Sequence, residues 1–472
     1  MSTRADRRVA ARHRWDRLTV SFWFAPALMG LGAVLLAWFL YWLDSHIPND
    51  LLAGSRFVLA GTAGELRASL LGIAGTVLAT AGVVFTLLTL PLSTVAAQYG
   101  SRLLRLFLGD RTTQLVLGMF VGTFIYCIAA ALSIPSADVP RESPQLTASL
   151  GVYLMLATFA TLIVLVQHMS TMLQAPNIAA AAGAELAEVV WAEIKGDVTG
   201  GSETTGDLNA GSNPDSRHPS TLLPEGEGYQ VRARSTGYIQ FIDPEMLLTL
   251  ARQRDLVIHL LHKPGHYVAA GAALAQIWPA DQVDERCEQL MQRAFQIGNG
   301  RTPTQDIAYA VNQLTEMAMR AMSPAINDPF TAMTCLDHLG HGLAEFAKQG
   351  DRSPDYYDRD GRLRLVLEPV TLAELLGTAF DMLRHASCNN AMVLLHMLAT
   401  IEVIGREAKT PEARGLLVYH VSLIEAESQA SALIEQDCQS ILRRGEALRS
   451  SLNGSSSASA SAAASPAKAP AE

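Results

Sequence analysis

The chain has 472 residues, 49% of them hydrophobic and only 17% charged, with a formal net charge of −9 and a mean hydropathy of +0.18. Charge this sparse argues against a wholly water-soluble chain and for membrane spans. The acidic balance argues against a dedicated nucleic-acid binder, which needs a basic excess.

Charged side chains are also unevenly placed. Residues 20–43, 68–101, 112–137 and 143–184 carry no Asp, Glu, Lys or Arg. A bilayer core needs about 20 apolar residues per helix, so each gap holds one span. The expected spans are 20–42, 69–92, 114–134 and 147–171, with a helical extension to 194. The first is too long and too aromatic for a signal peptide. Its Trp23, Trp38, Tyr41 and Trp42 sit where interfacial aromatics belong.

Six arginines lie in the leader, residues 1–19, and Arg102, Arg105 and Arg111 follow the second span; the other two loops hold Arg56, Arg67 and Arg141. The positive-inside rule then puts both termini in the cytosol of a bacterial inner membrane. The five cysteines fit that compartment. Their number is odd and no CxxC pair exists, which argues against disulfides and zinc sites.

The second span holds Gly72 and Gly75 among several threonines, and the third holds Gly118 and Gly122 in GxxxG spacing. Small residues let helix backbones approach closely in lipid. Packing within one bundle is the simpler reading; contact between subunits, or a narrow pore lined by Thr and Gly, is the sharper one. Pro91 can kink or end the second span. Beyond it, Val95, Tyr99, Leu103 and Leu106 share one helical face, with Arg102 and Arg105 on another, the pattern of an interfacial helix. Gln98, Arg102, Arg105, Asp110 and Arg111 are the candidate membrane-interface or gate residues. The spans themselves contain no Asp, Glu, Lys or Arg, which disfavours proton- or ion-coupled pumping but leaves a channel open.

Residues 195–228 are rich in Gly, Ser, Thr, Asp and Pro and read as a flexible linker. Residues 229–280 hold short β-type runs between turn residues and a helical piece, PEMLLTLARQ. Gly265 and Gly271 bracket a strand as in small barrel-sandwich domains. Lys263 is not at a hairpin tip, so no prosthetic group is expected. Residues 281–448 read as a helical domain, interrupted at 361–370 by GRLRLVLEPV, which reads as one strand or an extended loop. Residues 449–472 are low-complexity and read as a disordered tail.

The densest stretch is RTPTQDIAYAVNQLTEMAMRAMSPAINDPFTA, 301–332. Thr302 and Gln305 fit a capping box with Pro303 at the first helical position. Pro324 stops that helix, and Asp328 caps the next with Pro329 at its first position. A corner between two helices therefore accounts for these residues. A ligand site stays open beside it: Arg301, Asp306, Arg320, Asn327 and Asp328 could hold a small anion, with Arg as the fork and a helix start alongside. His259, His262 and His266, and the pair His338 and His341, lack partners at metal-ligand spacing and read as surface histidines. The phosphate-loop, dinucleotide, nucleophile-elbow and HExxH signatures are absent, so no enzyme class is assigned and no cofactor or metal is expected.

Four stretches together resemble a known family: AGVVFTLLTLPLSTVAAQYGSRLLRLFLGDRTTQLVLGMFVGTFIYC (81–127), STGYIQFID (235–243), KPGHYVAAGAALAQI (263–277) and the 301–332 segment. This is the bacterial family of predicted membrane proteins carrying domain of unknown function 2254. The resemblance implies four spans with a cytosolic C-terminal region and carries no catalytic residue. The expected fold is thus a mainly α membrane protein: four transmembrane helices plus a cytosolic α+β region, with a small barrel-sandwich-like β unit and a helical bundle. The expected function is an oligomeric channel-like or transport protein in contact with the lipid bilayer. The alternative is a membrane-anchored sensor or scaffold that binds a small ligand or protein.

Overall fold

The computed structural model describes residues 23–46, 58–59, 61–98, 110–134, 144–172, 174–195, 223–224, 226–351, 355–358 and 360–463, of which 90–92, 94–98, 195 and 454–463 by backbone alone. The basic leader, most of the linker, and Tyr99, Arg102, Leu103, Arg105 and Leu106 of the expected interfacial helix lie outside them. The chain divides into two compact units, 1–178 and 179–472.

The first unit is a bundle of four apolar helices: α1 Phe24–Asp44, α2 Ala63–Gln98, α3 Arg111–Ser133 and α4 Gln145–Met172. Each contains a stretch long and apolar enough to cross a membrane. Even α1, the shortest of them, matches the thickness of a hydrocarbon core when its residues are stacked at the helical rise. α3 is the central helix and packs on the other three. Leu28, Leu31, Leu35, Trp38, Phe39 and Trp42 of α1, and Leu156, Phe159 and Ile163 of α4, face outward. Lipid is an adequate solvent for such side chains; it cannot satisfy stray polar groups. Accordingly the buried Thr123 and Thr158 hydroxyls bond each other at 2.8 Å, and the Tyr126 hydroxyl donates to the Thr147 carbonyl at 2.8 Å. α2 runs unbroken through Pro91, where a kink or stop was expected. Proline is tolerated inside helices in lipid more readily than in water.

The second unit takes in most of α5 (Ala175–Lys195), then β1 Tyr229–Arg232, β2 Gly237–Ile242, α6 Pro244–Gln253, β3 Val257–Leu260, β4 Tyr267–Val268 and β5 Ala273–Trp278. α7 Glu285–Ala294, β6 Phe295–Gly298, α8 Ile307–Ala321, α9 Pro329–Gln349, β7 Asp355–Tyr357 and β8 Leu363–Val366 follow. α10 Leu372–Ala386, α11 Ala391–Glu407, α12 Pro411–Ala430 and α13 Glu435–Ala463 complete it.

The strands form two sheets, β1-β5-β3-β8-β7 and β4-β2-β6, and neither closes into a barrel. The expected β unit of 229–280 is therefore not self-contained. β6 completes the smaller sheet, and β8 joins the larger one by parallel pairing with β3, Ile258 opposite Leu365. The reason is in the core: Ile258, Leu260 and Ile277 need Leu365 and the helices α6 and α7 to cover them. Parallel pairing between segments so far apart in sequence leaves no local signal.

Each helix from α6 to α12 opens on a side-chain cap three residues upstream of the amide it satisfies: Asp243, Asp284, Asp306, Asp328, Thr371, Asn390 and Thr410. α8 packs on α9 and α10, α9 on α11, and α13 on α11 and α12. α5 joins this layer through close contacts, Gly183 against the His338 ring and Leu186 against Gly342. The helix α13 passes through 449, where the low-complexity tail was expected to begin. Leu448 and Leu452 are buried, and Leu452 packs on Gly405.

Candidate functional site

The five polar residues of the 301–332 stretch lie at opposite ends of α8, separated by the full length of that helix. They do not converge on one site. At the first end Asp306, buried with 3% of its side chain exposed, receives Arg301 side-on: Nε donates to Oδ2 at 2.7 Å and Nη2 to Oδ1 at 2.8 Å. Asp306 Oδ1 also accepts the Tyr309 amide at 2.9 Å, so this residue is the helix cap. Burial works against the charge on Arg301, and the Asp306 carboxylate more than restores it. The Tyr309 ring lies 5.5 Å from the guanidinium carbon.

The expected capping box at Thr302 and Gln305 is corrected by this geometry. Gln305 instead clamps β2, its Oε1 accepting the Ile242 amide at 2.8 Å and its Nε2 donating to the Ile242 carbonyl at 2.9 Å. Thr302 donates to the Gln240 carbonyl at 3.2 Å. A buried strand edge had two groups to satisfy, and Gln305 matches both. Gly265 presses its backbone onto the Arg301–Asp306 pair, with φ +93°. Three stretches distant in sequence, around Gly237–Ile242, Gly265–Tyr267 and Arg301–Tyr309, thus meet at one junction. The outer face there carries Tyr238 and Tyr267, paired across β2 and β4 with ring centroids 5.1 Å apart.

At the other end of α8 the chain turns. Asn327 adopts φ +50°, its amide donates to the Ser323 carbonyl at 2.9 Å, and the Asp328 amide donates to the Ala321 carbonyl at 2.8 Å. Asp328 accepts the Thr331 amide at 3.1 Å and its hydroxyl at 2.6 Å. Arg320 reaches back to Glu316 at 3.0 Å. These are the bonds of a helix corner. Pro324, Ala325, Ile326 and Phe330 are exposed or half-exposed on it.

Of the membrane-interface candidates, Asp110 caps α3. Its Oδ2 accepts the Thr113 amide at 2.7 Å and the Thr113 hydroxyl at 2.6 Å, and lies 3.0 Å from His168 Nε2 on α4. Arg111 is exposed, Gln98 is described by its backbone within α2, and Arg102 and Arg105 fall outside the described residues. Sequence reading missed Asp44, just past the expected end of the first span. It is 6% exposed and caps α4, accepting the Leu146 amide at 3.1 Å, the Thr147 amide at 2.9 Å and the Thr147 hydroxyl at 2.6 Å. An acid just beyond an apolar run carries no hint that it serves a helix much later in the chain.

The glycines divide. Gly118 and Gly122 of α3 lie against Met29 of α1, while Gly72 and Gly75 of α2 face open space. Among the described residues no group of three or more His, Cys, Asp or Glu is placed to hold a metal ion.

The comparisons with known proteins fit the four apolar helices. The chain is 26% identical over 453 residues to uncharacterised proteins of Mycobacterium bovis and Mycobacterium tuberculosis, covering 92% of this chain and 81% of each relative. No solved structure matches. The sequence profile of the "predicted membrane protein" family matches residues 19–403, which takes in the four helices of the first unit, the two sheets and the 301–332 corner. With so much of its length matched, the chain belongs to the predicted membrane protein family defined by domain of unknown function 2254.

Proposed function

We propose that copies of this chain assemble in the bacterial inner membrane into a channel-like or transport protein, with the C-terminal unit in the cytosol as its regulatory part. One observation carries this reading. Gly72, Gly75, Ala79, Gly82, Thr86 and Thr89 of α2 recur at alternating intervals of three and four and are all exposed. They lie on the side of the helix opposite its buried residues Leu66, Leu70, Val77, Val84 and Leu88. Larger residues, Leu71, Leu78 and Phe85, flank them. Small residues at heptad spacing suit close approach of a second helix, and α3 of this same chain uses its glycines that way against α1. The hydroxyls of Thr76, Thr86 and Thr89 are turned back onto carbonyls of their own helix at 2.9–3.1 Å, so these donors are met in lipid. A passage between subunits lined by such groups needs no buried charge. The excess of arginine before α1 and after α2 supports cytosolic termini.

The test combines size and conductance. Gly75→Leu and Gly82→Leu are expected to shift the detergent-solubilised particle toward monomer without unfolding it, and to abolish conductance in reconstituted bilayers. A wild-type particle that is monomeric, or bilayers silent at every tension and salt concentration, would overturn the reading. The second reading, a membrane-anchored sensor or scaffold, draws support from Arg301, whose Nη1 has no bonded partner among the described residues and could meet a small anion. Exchange of all four spans for an unrelated anchor separates the two, because only a sensor keeps its activity.

A further inference from the structure

The histidines of HLLHKPGH, read from sequence as surface residues, sit at a joint between the two parts of the second unit. His259 is on β3, and His262 and His266 are on the loop to β4; the His262 and His266 rings lie 5.7 Å apart, edge to face. The segment between β8 and α10 faces them. Glu368 Oε2 is 3.9 Å from His266 Nδ1, and Glu374 Oε2 is 2.5 Å from Lys263 Nζ. Glu374 also belongs to the first turn of α10, its amide held by Thr371. The β-strand neighbours of His259, Gln276 on β5 and Val366 on β8, are uncharged. Its Nδ1 is buried with no hydrogen-bond partner among the described residues.

We propose that this cluster is a proton-operated joint that holds the β3–β4 loop to the start of α10 at neutral pH and loosens in mild acid. Charge balance gives the direction. With neutral rings the joint has Lys263 facing two carboxylates, one of which Lys263 already occupies. With protonated rings it has four positive groups against the same two carboxylates, and two of the cations are adjacent rings. Coulomb repulsion at that spacing opposes closure. Burial holds the His259 and His266 rings below the ordinary histidine range. Glu368 works the other way on both, while Lys263 and His262 add to the lowering at His266. The unfolded segment then binds protons first. Stability of the joint is complete above the unfolded value of about 6.5 and is lost as pH falls from there toward the folded value.

Amide hydrogen exchange on the full-length protein in detergent, corrected for intrinsic rates, tests this. Peptides covering 259–268 and 366–376 are expected to lose protection severalfold between pH 7.5 and 5.5, the direction that lowered histidine pKa values impose. His266→Gln, at a half-exposed position, should cut that loss by about half. The triple variant H259Q/H262Q/H266Q should cut it to under about twofold. Equal protection of these peptides at both pH values in the wild type would overturn the proposal. So would an acid-induced loss that persists at full size in His266→Gln.

Discussion

Gly265 lies so close to Asp306 that a β-carbon on the glycine would fall 2.7 Å from the carboxyl carbon and 3.1 Å from Arg301 Nη2. The backbone of the KPGHY loop is thus the wall against which the Arg301–Asp306 pair is set, and its φ of +93° is one that only glycine adopts cheaply.

Gly265→Ala is expected to destabilise the second unit by about 3 kcal/mol, since it combines a left-handed backbone with a clash against a buried pair. Gly271→Ala is the control. It has a similar φ of +86° but nothing within 4 Å of the added carbon, and should cost about 1 kcal/mol. Denaturant melts of the purified variants compare the two; equal costs would mean that the contact with Asp306 contributes nothing.

Asp306→Ala removes the cap of α8 and leaves Arg301 without its carboxylate. Breaking a mostly buried pair at one partner costs about 3 kcal/mol, and Arg301 is exposed enough to recover part of that in water. Asp306→Asn keeps an oxygen for the Tyr309 amide and should cost roughly half as much. The measurement is again the unfolding midpoint, together with retention of helical circular dichroism.

In the first unit, Asp44→Ala should lower thermal stability in detergent by the loss of one buried helix cap, about 1–2 kcal/mol. Asp44→Asn should restore most of it, because the amide oxygen can still accept from Leu146 and Thr147. If both variants melt like the wild type, the cap is not holding α1 to α4.

Asp110 has a carboxyl below its usual value of 3.8. Burial raises it, but the hydroxyl and amide of Thr113 and the charge and hydrogen bond of His168 outweigh burial. A lowered folded pKa means that the stabilisation is present above the unfolded value and disappears as pH falls through the folded one. The melting temperature should therefore decline below about pH 4, and Asp110→Asn should flatten that decline. A melt that is flat with pH in the wild type, or equally steep in the variant, would show that other carboxylates control acid sensitivity.

How much of this was legible depended on range. Four helices apolar enough to span a bilayer were readable, three of them close to their observed ends while α2 runs past both of its expected ones, because a bilayer demands about 20 uncharged residues in a row and tolerates little else. The Asp328 cap was readable too, since a cap and its amide are near neighbours in sequence. The Thr302–Gln305 box was misplaced because the same residue types serve a buried strand edge equally well, and nothing local says that Ile242 will arrive. The role of Asp44, the pairing of β8 with β3, and the contacts of Lys263 with Glu374 and His266 with Glu368 left no local trace for the same reason.

The amino-acid order by itself thus determined which segments are apolar enough to cross a membrane, the start of α9 at Asp328 and the turn at Asn327, all set by hydropathy and by bonds within a few residues. Tertiary structure alone decided which polar groups meet: Asp44 with Thr147, Gln305 with Ile242, Lys263 with Glu374. It also decided which glycines are covered, Gly118 and Gly122 inside the bundle, Gly72 and Gly75 outside. Those outcomes follow from packing many segments at once, where a buried donor takes whichever acceptor the fold brings within reach.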